Sequence, residues 1–470
     1  MNVKIVVPFL GAETKTPIWA MEEACINFRH DFEQAARCTA SFAALELKNY
    51  LSRTLYEAAI SFSSQRPAET FFVELIVDEY AGRDEAFFLQ PFKNGISIVG
   101  KSRTGLLYGA YEFLRLQGWR WFAPGREGEI VPELRDKPVI PGEKVDYKPS
   151  MSLGRGFYFE YVSMESEEFF LWMARNRLNL ATYRPLTASL CKKLGMIFKV
   201  GGHIFEKILD PDRMMPSGRN LWEEHPDWYG LPADGVRKKE KALNTQFCVS
   251  QKDLAEFLGE ELLQYLTGKW KDADCVDIWG FDTWGSTCNC SECGKLGNSA
   301  DQTLHFISDI RTFINKARNE GRLDHDVQMV FCCYEGTSTI LGPQGTFAGN
   351  LIDSGDYGGF YPINRCYAHD FSDDTCLHNI FYKGALKSWF IADKSTPLMI
   401  GEYYNVSKFE DLPLLFTGRI AADLPYYYSM GVRGMTYMHV PLVNWGMRTI
   451  TQVLFAQLCW DINTDIKSSS

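Results

Sequence analysis

The sequence lacks the features that would place a protein in a membrane or on nucleic acid. Its 470 residues contain no apolar run of about 18 residues, the length that a transmembrane helix needs. The first residues hold too short an apolar stretch for a signal peptide, so we expect a cytoplasmic protein. The net charge is −10, whereas nucleic acids and anionic membranes attract basic surfaces. We therefore expect neither as a partner.

The signature motifs of several enzyme classes are also missing. No Gly-x-Gly-x-x-Gly follows the first apolar stretch, and there is no Walker loop, no Gly-x-Ser-x-Gly elbow and no His-Glu-x-x-His. We therefore expect no required cofactor. Cysteine, in contrast, is plentiful. The 13 cysteines are an odd number without a small-domain framework, which favours a reducing compartment and free or metal-bound thiols.

Composition changes divide the chain into three parts. Hydrophobic residues at 46% and charged residues at 23% are typical of a globular protein. Residues 126–150 are rich in proline and glycine, which predicts a linker. Residues 1–125 alternate strand-like and helix-like patterns, which predicts a small α/β accessory domain. Its predicted strands are 3–10, 71–78, 87–92 and 95–99, and its predicted helices are 33–52 and 103–117.

Residues 151–470 alternate short apolar runs with amphipathic helices. The predicted strands are 151–159, 179–183, 196–201, 275–281, 327–334, 350–353, 397–402 and 433–438. A helix over 251–267 is expected to begin with a capping box formed by Ser250 and Asp253. About eight strand–helix units predict a (β/α)₈ TIM-type barrel, with a doubly wound open sheet as the alternative. The sequence leaves open the oligomeric state and whether the natural chain continues past residue 470.

Four strand-like runs end in residues that could do acid or base chemistry. These residues are His203, Asp282, Glu335 and Glu402. In a TIM-type barrel the carboxyl ends of the strands meet at one mouth, where the catalytic groups lie. Three carboxylates there suit cleavage of a glycosidic bond. We expect Glu402 to be the principal carboxylate and Glu335 or Asp282 its partner, whereas Asp277 is expected to form a structural hydrogen bond or salt bridge.

Residues that could bind a sugar follow the same strands. Aromatic rings stack on the apolar faces of sugars, and polar side chains bind their hydroxyl groups. The aromatic candidates are Trp279, Trp284, Tyr334, Tyr361, Tyr403, Tyr404 and Trp445. The polar candidates are His203, Asn405, Arg155, His369 and His439. Core packing is the alternative explanation for each ring, and a structural role is the alternative for each polar group.

Three cysteines form a tight cluster just after Asp282. Cys288, Cys290 and Cys293 have the spacing Cys-x-Cys-x-x-Cys, which could hold a structural zinc ion. The fourth ligand would come from elsewhere in the sequence. The candidates are Cys332, Cys333, Cys366, Cys376 and His369. Free thiols packed as small apolar groups are the alternative.

Several stretches resemble known carbohydrate-active families. The stretch from Gly95 to Leu114, with Gly118-Trp-Arg-Trp-Phe-Ala-Pro-Gly, resembles the N-terminal domain of α-glucuronidases and β-hexosaminidases. Later pieces resemble a glycosidase-like barrel family once known only as a domain of unknown function, whose characterised members are endo-β-N-acetylglucosaminidases of glycoside hydrolase family 163. Those pieces are Glu224-His-Pro-Asp-Trp-Tyr-Gly-Leu, Phe281-Asp-Thr-Trp-Gly-Ser-Thr-Cys-Asn-Cys-Ser-Glu-Cys, Cys366-Tyr-Ala-His-Asp, Cys376-Leu-His-Asn and Glu402-Tyr-Tyr.

The resemblance implies a hydrolase that acts on a glycan, with Asp282 and Glu402 matching the strand-end acid segments of the family. If the substrate is a 2-acetamido sugar, its own acetamide oxygen could attack the anomeric carbon while Asp282 orients the amide. We therefore predict a glycoside hydrolase with an oligosaccharide substrate. Two alternatives stay open, a glycan-binding barrel without activity and a zinc-containing hydrolase of another bond type.

Overall fold

The chain forms an α/β region built on a sheet of parallel and antiparallel strands, followed by a closed barrel of parallel strands. The structure is a computed structural model and describes residues 1–159, 166–345, 349–392, 397–404, 412, 414–439 and 448–465. The sheet has six strands and the barrel has eight. All neighbouring barrel strands are parallel. The predicted accessory α/β region and TIM-type barrel are confirmed, and the doubly wound alternative is wrong.

The N-terminal sheet is built largely from the predicted elements. Its strands are β1 Asn2–Val6, β2 Ala59–Ser63, β3 Phe71–Val77, β4 Phe87–Phe92, β5 Gly95–Gly100 and β8 Val145–Tyr147. Across the sheet they lie in the order β2-β1-β3-β5-β4-β8. Its helices are α1 Ala12–Trp19, α2 Phe32–Leu51 and α3 Arg103–Leu116. The Ser102 side chain caps α3 by accepting the Gly105 N–H, and Gly118 ends the turn after it at φ 104°.

The segment predicted as a linker takes part in the fold. Residues 126–150 include β7 Glu129–Ile130, which pairs with β6 Arg120–Trp121, and β8, which pairs antiparallel with β4. The prolines and glycines therefore mark turns between short edge strands instead of a free connection. The accessory sheet is completed by residues that lie just before the barrel.

The barrel strands alternate with helices along the chain. The strands are β9 Gly154–Phe159, β10 Leu180–Thr182, β11 Ile197–Gly202, β12 Cys275–Ile278, β13 Gln328–Cys333, β14 Tyr357–Phe360, β15 Leu398–Glu402 and β16 Gly434–His439. Around the barrel they follow the order β10-β11-β12-β13-β14-β15-β16-β9. The helices are α4 Glu167–Arg175, α5 Ala188–Lys193, α6 Ile204–Ile208, α7 Leu221–Glu224, α8 Lys252–Thr267, α9 Ser291–Gly294, α10 Ser299–Asn319, α11 Gly349–Asp353, α12 Leu377–Ala392, α13 Thr417–Met430 and α14 Thr449–Trp460.

Alternate residues of each barrel strand face the barrel axis. Five of the inward residues form one buried layer: Leu180, Cys275, Val330, Tyr357 and Met399. Because side chains on a strand alternate with period 2, Gly401 and Tyr403 share the inward face of β15 with Met399, whereas Leu398, Ile400 and Glu402 face the outer helices. The same rule places Asp277 and Trp279 on the inward side after Cys275.

One predicted strand is wrong. Residues 350–353 lie in helix α11, and the strand that fills this place in the barrel is β14, Tyr357–Phe360. Gly358 and Gly359 have low strand propensity, so the sequence pattern did not predict this strand. A Cβ on Gly359 would stand 2.6 Å from the Tyr361 hydroxyl, so the barrel interior leaves no room for a side chain there.

Arg155 joins the two parts of the chain. Its Nη1 atom lies 2.8 Å from Glu85 Oε2 of the accessory sheet, and its guanidinium lies 5.1 Å from the centre of the Trp460 ring. Arg155 is fully buried on the outward face of β9. The sugar-binding role predicted for Arg155 therefore does not fit its position, because the side chain is enclosed by the domain interface instead of facing the barrel mouth.

Within the described part of the chain, no helix combines the length and the apolar character that a membrane crossing needs.

Candidate active site

The loops after β12 and β13 are joined by backbone hydrogen bonds at the barrel mouth. The N–H groups of Thr283 and Trp284 both donate to the carbonyl of Gly336, at 3.2 and 3.0 Å. The Ser338 hydroxyl donates to the carbonyl of Gly285 in the same junction. Two segments that are about 50 residues apart in sequence are thus held as one structural unit, which we call the loop clamp.

The two loops of the loop clamp carry two of the predicted carboxylates. Asp282 is exposed, and its Oδ1 atom lies directly against Gly336, because a Cβ placed on that glycine would overlap it. Glu335 is the residue before Gly336 and is half-buried. Two acidic residues that follow neighbouring strands therefore lie on the two loops that the loop clamp joins. Their catalytic roles stay predictions.

Glu335 is held in place by two donors, one from the loop after β14 and one from helix α12. Asn364 Nδ2 donates to Glu335 Oε2 at 3.0 Å, and the Tyr382 hydroxyl donates to the same oxygen. The Tyr382 hydroxyl in turn accepts the backbone N–H of Asn364 at 3.1 Å. This closed set of hydrogen bonds fixes the orientation of the Glu335 carboxylate, as a catalytic group requires.

Strained backbone marks the same two loops. Trp284 has φ 53° and Ser338 has φ 63°, in the left-handed region that residues with a Cβ rarely adopt. Such conformations persist only where the surroundings impose them, and they are concentrated at functional sites. Here the loop clamp imposes them. Trp284 is 52% exposed beside Asp282, and its ring lies edge-on to Tyr334 at 5.5 Å.

Aromatic rings form the floor of the mouth. Trp279 contacts the rings of Tyr158, Tyr361 and His203, with centroid distances of 6.0, 4.9 and 5.2 Å. Because Trp279, Tyr361 and Tyr334 are less than one-tenth exposed, they close the barrel beneath the carboxylates. Within the described residues, Trp284 is the aromatic ring of this group that is most exposed for stacking on a sugar.

His203 and a residue that the sequence did not single out complete the rim. The Nδ1 atom of His203 lies 2.7 Å from the carbonyl of Gly280, which can only accept, so Nδ1 carries the proton. Glu206, one helical turn further along, accepts the backbone N–H of Asp282 at 2.5 Å. Glu206 lies in α6 and not at a strand end, so the pattern of strand-end acids does not include it and the sequence offers no other signal for it.

Beneath the aromatic floor lies the ion pair predicted for Asp277. Lys199 Nζ is 3.0 Å from Asp277 Oδ1, and both residues are buried inside the barrel. Burial raises the pKa of Asp277 to about 6, and the charge of Lys199 opposes that rise. The predicted structural salt bridge is confirmed.

Glu402 lies away from this site, contrary to our expectation. Its side chain is 0% exposed and faces α13 on the outside of the barrel. Arg365 Nε lies 3.0 Å from Glu402 Oε1, and the hydroxyl groups of Tyr367 and Tyr427 also donate to the carboxylate. Burial raises the pKa of Glu402 while Arg365 opposes the rise. A carboxylate enclosed in this way cannot reach a substrate, so the structure corrects the principal role predicted for Glu402.

The other residues predicted to bind a sugar differ in burial and in the direction they face. Tyr403 faces the barrel axis and is 6% exposed, whereas Tyr404 is fully buried and donates to Asp423 at 3.1 Å. His369 is exposed and contacts Cys366 at 3.2 Å, in a group with Cys376. Tyr404 therefore does not fit a substrate-binding role. Asn405 and Trp445 lie outside the described residues, as does the side chain of His439.

The cysteine cluster gains a fourth member that the sequence analysis missed. Cys248 lies with Cys288, Cys290 and Cys293, and the four Sγ atoms are all within 4.8 Å of one another. None of the five candidates named for the fourth position joins this group. Ser250, predicted to cap α8, lies beside the thiols instead, and the N-cap of α8 is Gln251 with no side-chain hydrogen bond.

Comparisons with known proteins agree with the fold. Residues 126–322, which include Asp282 and the four clustered cysteines, match the family described as "Domain of unknown function (DUF4838)". No curated protein sequence matches the chain.

Two solved structures are similar along the whole chain. One is a GH138 enzyme targeting pectin rhamnogalacturonan II, which shares 9% identity at a TM-score of 0.56, over 100% of this chain and 65% of its own. The other is CpGH89 from Clostridium perfringens, in complex with its substrate GlcNAc-α-1,4-galactose, which shares 12% identity at a TM-score of 0.50, over 99% of this chain and 52% of its own. This chain therefore spans about two thirds of the first protein and about half of the second, and at such low identity it shares their fold.

Proposed function

We propose that this chain is a glycoside hydrolase whose active site is the barrel mouth around Asp282 and Glu335. The observation that carries the proposal is the loop clamp, which joins the loop of Asp282 to the loop of Glu335 beside the exposed ring of Trp284. Cleavage of a glycosidic bond needs such a pair, because one carboxyl group protonates the leaving oxygen and the other stabilises or attacks the positively charged ring. The fold shared with glycoside hydrolases supports the same proposal.

The surroundings of the two groups suggest different roles. Glu335 receives hydrogen bonds from Tyr382 and Asn364, so it is oriented to face positive charge at the anomeric centre or to orient a substrate amide. Asp282 is exposed, and only its backbone N–H is held by Glu206. We assign Asp282 as the proton donor to the leaving oxygen and Glu206 as a residue that positions its loop.

For the substrate we propose an oligosaccharide that contains a β-linked N-acetylglucosamine. The resemblance to family 163 enzymes in the segment from Phe281 to Cys293 supports this choice. A panel of aryl glycosides (N-acetylglucosaminide, glucuronide and galactoside), with a digest of N-glycans analysed by mass spectrometry, tests it. Release from the N-acetylglucosaminide or from the glycan is expected. Binding of the sugars without release of any product after long incubation would favour a glycan-binding barrel.

We predict that Gly336→Ala lowers turnover at least tenfold while the protein stays folded. The new methyl group would occupy the space of Asp282 Oδ1 and would also press on the Tyr334 ring, so the carboxylate must move. A displacement of about 1 Å costs a catalytic group up to 10²-fold in rate. The measurement is kcat on the best substrate of the panel, with the melting temperature recorded in parallel.

Gly384→Ala is the matched control. Gly384 lies in α12 and has open space where its Cβ would be, so the same substitution adds a methyl group without a collision. We expect full activity from this variant. Full activity from Gly336→Ala as well would contradict the placement of Asp282 in the active site.

A further inference from the structure

The four clustered cysteines have the spacing of a metal site. Cys248 Sγ lies 3.7 Å from Cys290 Sγ and 3.7 Å from Cys293 Sγ. A tetrahedral zinc ion with Zn–S bonds of about 2.3 Å requires its sulfur atoms to be about 3.8 Å apart. A disulfide, in contrast, brings two sulfur atoms to about 2.05 Å. The thiols are thus too far apart to be bonded and at the right separation to share one ion.

Backbone N–H groups donate hydrogen bonds to two of the sulfur atoms. The Leu231 N–H donates to Cys288 Sγ at 3.2 Å, and the Cys293 N–H donates to Cys290 Sγ at 3.4 Å. The Ser250 hydroxyl lies 3.3 Å from Cys248 Sγ. Donors of this kind stabilise thiolates and fix their direction, as they do around bound metal ions.

We propose that Cys248, Cys288, Cys290 and Cys293 bind one structural zinc ion. Four sulfur ligands in a tetrahedral arrangement select zinc over magnesium, calcium or manganese, which prefer oxygen ligands. Because all four coordination positions are filled by protein, the ion has no open position for water or substrate. This closed set argues against the zinc-containing hydrolase that the sequence left open, and the proposal does not depend on glycosidase activity.

The proposed ion would fasten the β12 loop to the segment before α8. The two segments are already joined by the side chain of Gln246, which accepts the Phe281 N–H at 2.8 Å and donates to the Phe281 carbonyl at 2.6 Å. Cys288 lies six residues after Asp282 on this loop. The zinc ion would therefore stabilise the loop that carries Asp282 and Trp284 without taking part in the reaction.

Metal analysis of the purified wild-type protein tests the proposal. We expect about one zinc ion per chain by mass spectrometry of the metal, and four thiols that react with a thiol reagent only after chelation. Replacing zinc with Co²⁺ should give the intense visible bands of a tetrahedral cobalt thiolate. A protein without zinc, a site filled with iron, or two thiols missing because of a disulfide in this cluster would each overturn it.

Single variants identify the ligands. Cys248→Ala is expected to lose the zinc ion and to lower the melting temperature, because three thiolates hold the ion less tightly and leave its fourth position to water. Cys366→Ala is the control, since Cys366 belongs to the separate group with His369 and Cys376. Loss of the ion from Cys366→Ala and not from Cys248→Ala would overturn the assignment. If Cys248→Ala does not fold, the cobalt spectrum and thiol count of the wild-type protein still decide.

Discussion

Asp282→Asn is expected to lower kcat on an aryl glycoside with a poor leaving group by about 10²–10⁴-fold, the range that a general acid contributes. Asparagine has nearly the same shape but cannot donate the proton that the departing oxygen needs. Because Asp282 is exposed, the variant should melt within about 1–2 °C of the wild-type protein. Initial rates and a thermal melt measure the two quantities on the same sample.

The leaving group separates the roles of the two carboxylates. A dinitrophenyl glycoside needs little protonation as it departs, so Asp282→Asn should recover most of its cleavage rate on this substrate. Glu335→Gln should be slow on both substrates, because its role is at the sugar ring and does not depend on the leaving group. The reverse pattern would exchange the two roles, and full activity of both variants on both substrates would rule out this pair of residues.

Most of the fold could be predicted because the helices and strands carry strong local signals. Helix α3 begins at Ser102 and ends before Gly118, as its capping residues indicate, and seven of the eight barrel strands lie where apolar runs predicted them. The eighth, β14, contains Gly358 and Gly359. These positions are glycine because neighbouring side chains in the barrel leave no room for a Cβ. The residues next to β14 in the sequence give no sign of that constraint, so the strand could not be predicted from them.

The site was harder to predict than the fold. Asp282 and Glu335 follow their strands and lie on the two loops of the proposed active site, whereas Glu402 looked equivalent in sequence and lies on the other side of its strand. A parallel barrel strand is buried on both faces, so its sequence does not reveal which residues face the axis. Cys248 was missed because it lies 40 residues before Cys288 and has no neighbouring cysteine.

The position of Glu402 leads to a large expected effect on stability. Arg365 lies between Glu402 and Asp423 and is ion-paired with both, and all three side chains are buried. Arg365→Met would leave two buried carboxylates facing each other without a cation, a change that costs about 3–5 kcal/mol. At roughly 2–4 °C per kcal/mol, the melting temperature should fall on the order of 10 °C. Arg322→Met is the control. Its pair with Glu260 is over two-fifths exposed on both sides, so the loss should be under about 1 kcal/mol.

The same ion-pair network distinguishes two roles for Glu402. If Glu402 were the catalytic carboxylate, Glu402→Gln would abolish turnover and leave the melting temperature nearly unchanged. The structure predicts the opposite. Glutamine removes the charge that pairs with Arg365, so the protein should melt at lower temperature, and activity per folded molecule should stay within a few-fold of wild type at a temperature below both transitions. Rates at low temperature, normalised to the folded fraction from circular dichroism, measure this. An inactive Glu402→Gln variant with wild-type stability would return Glu402 to the active site and displace the pair formed by Asp282 and Glu335.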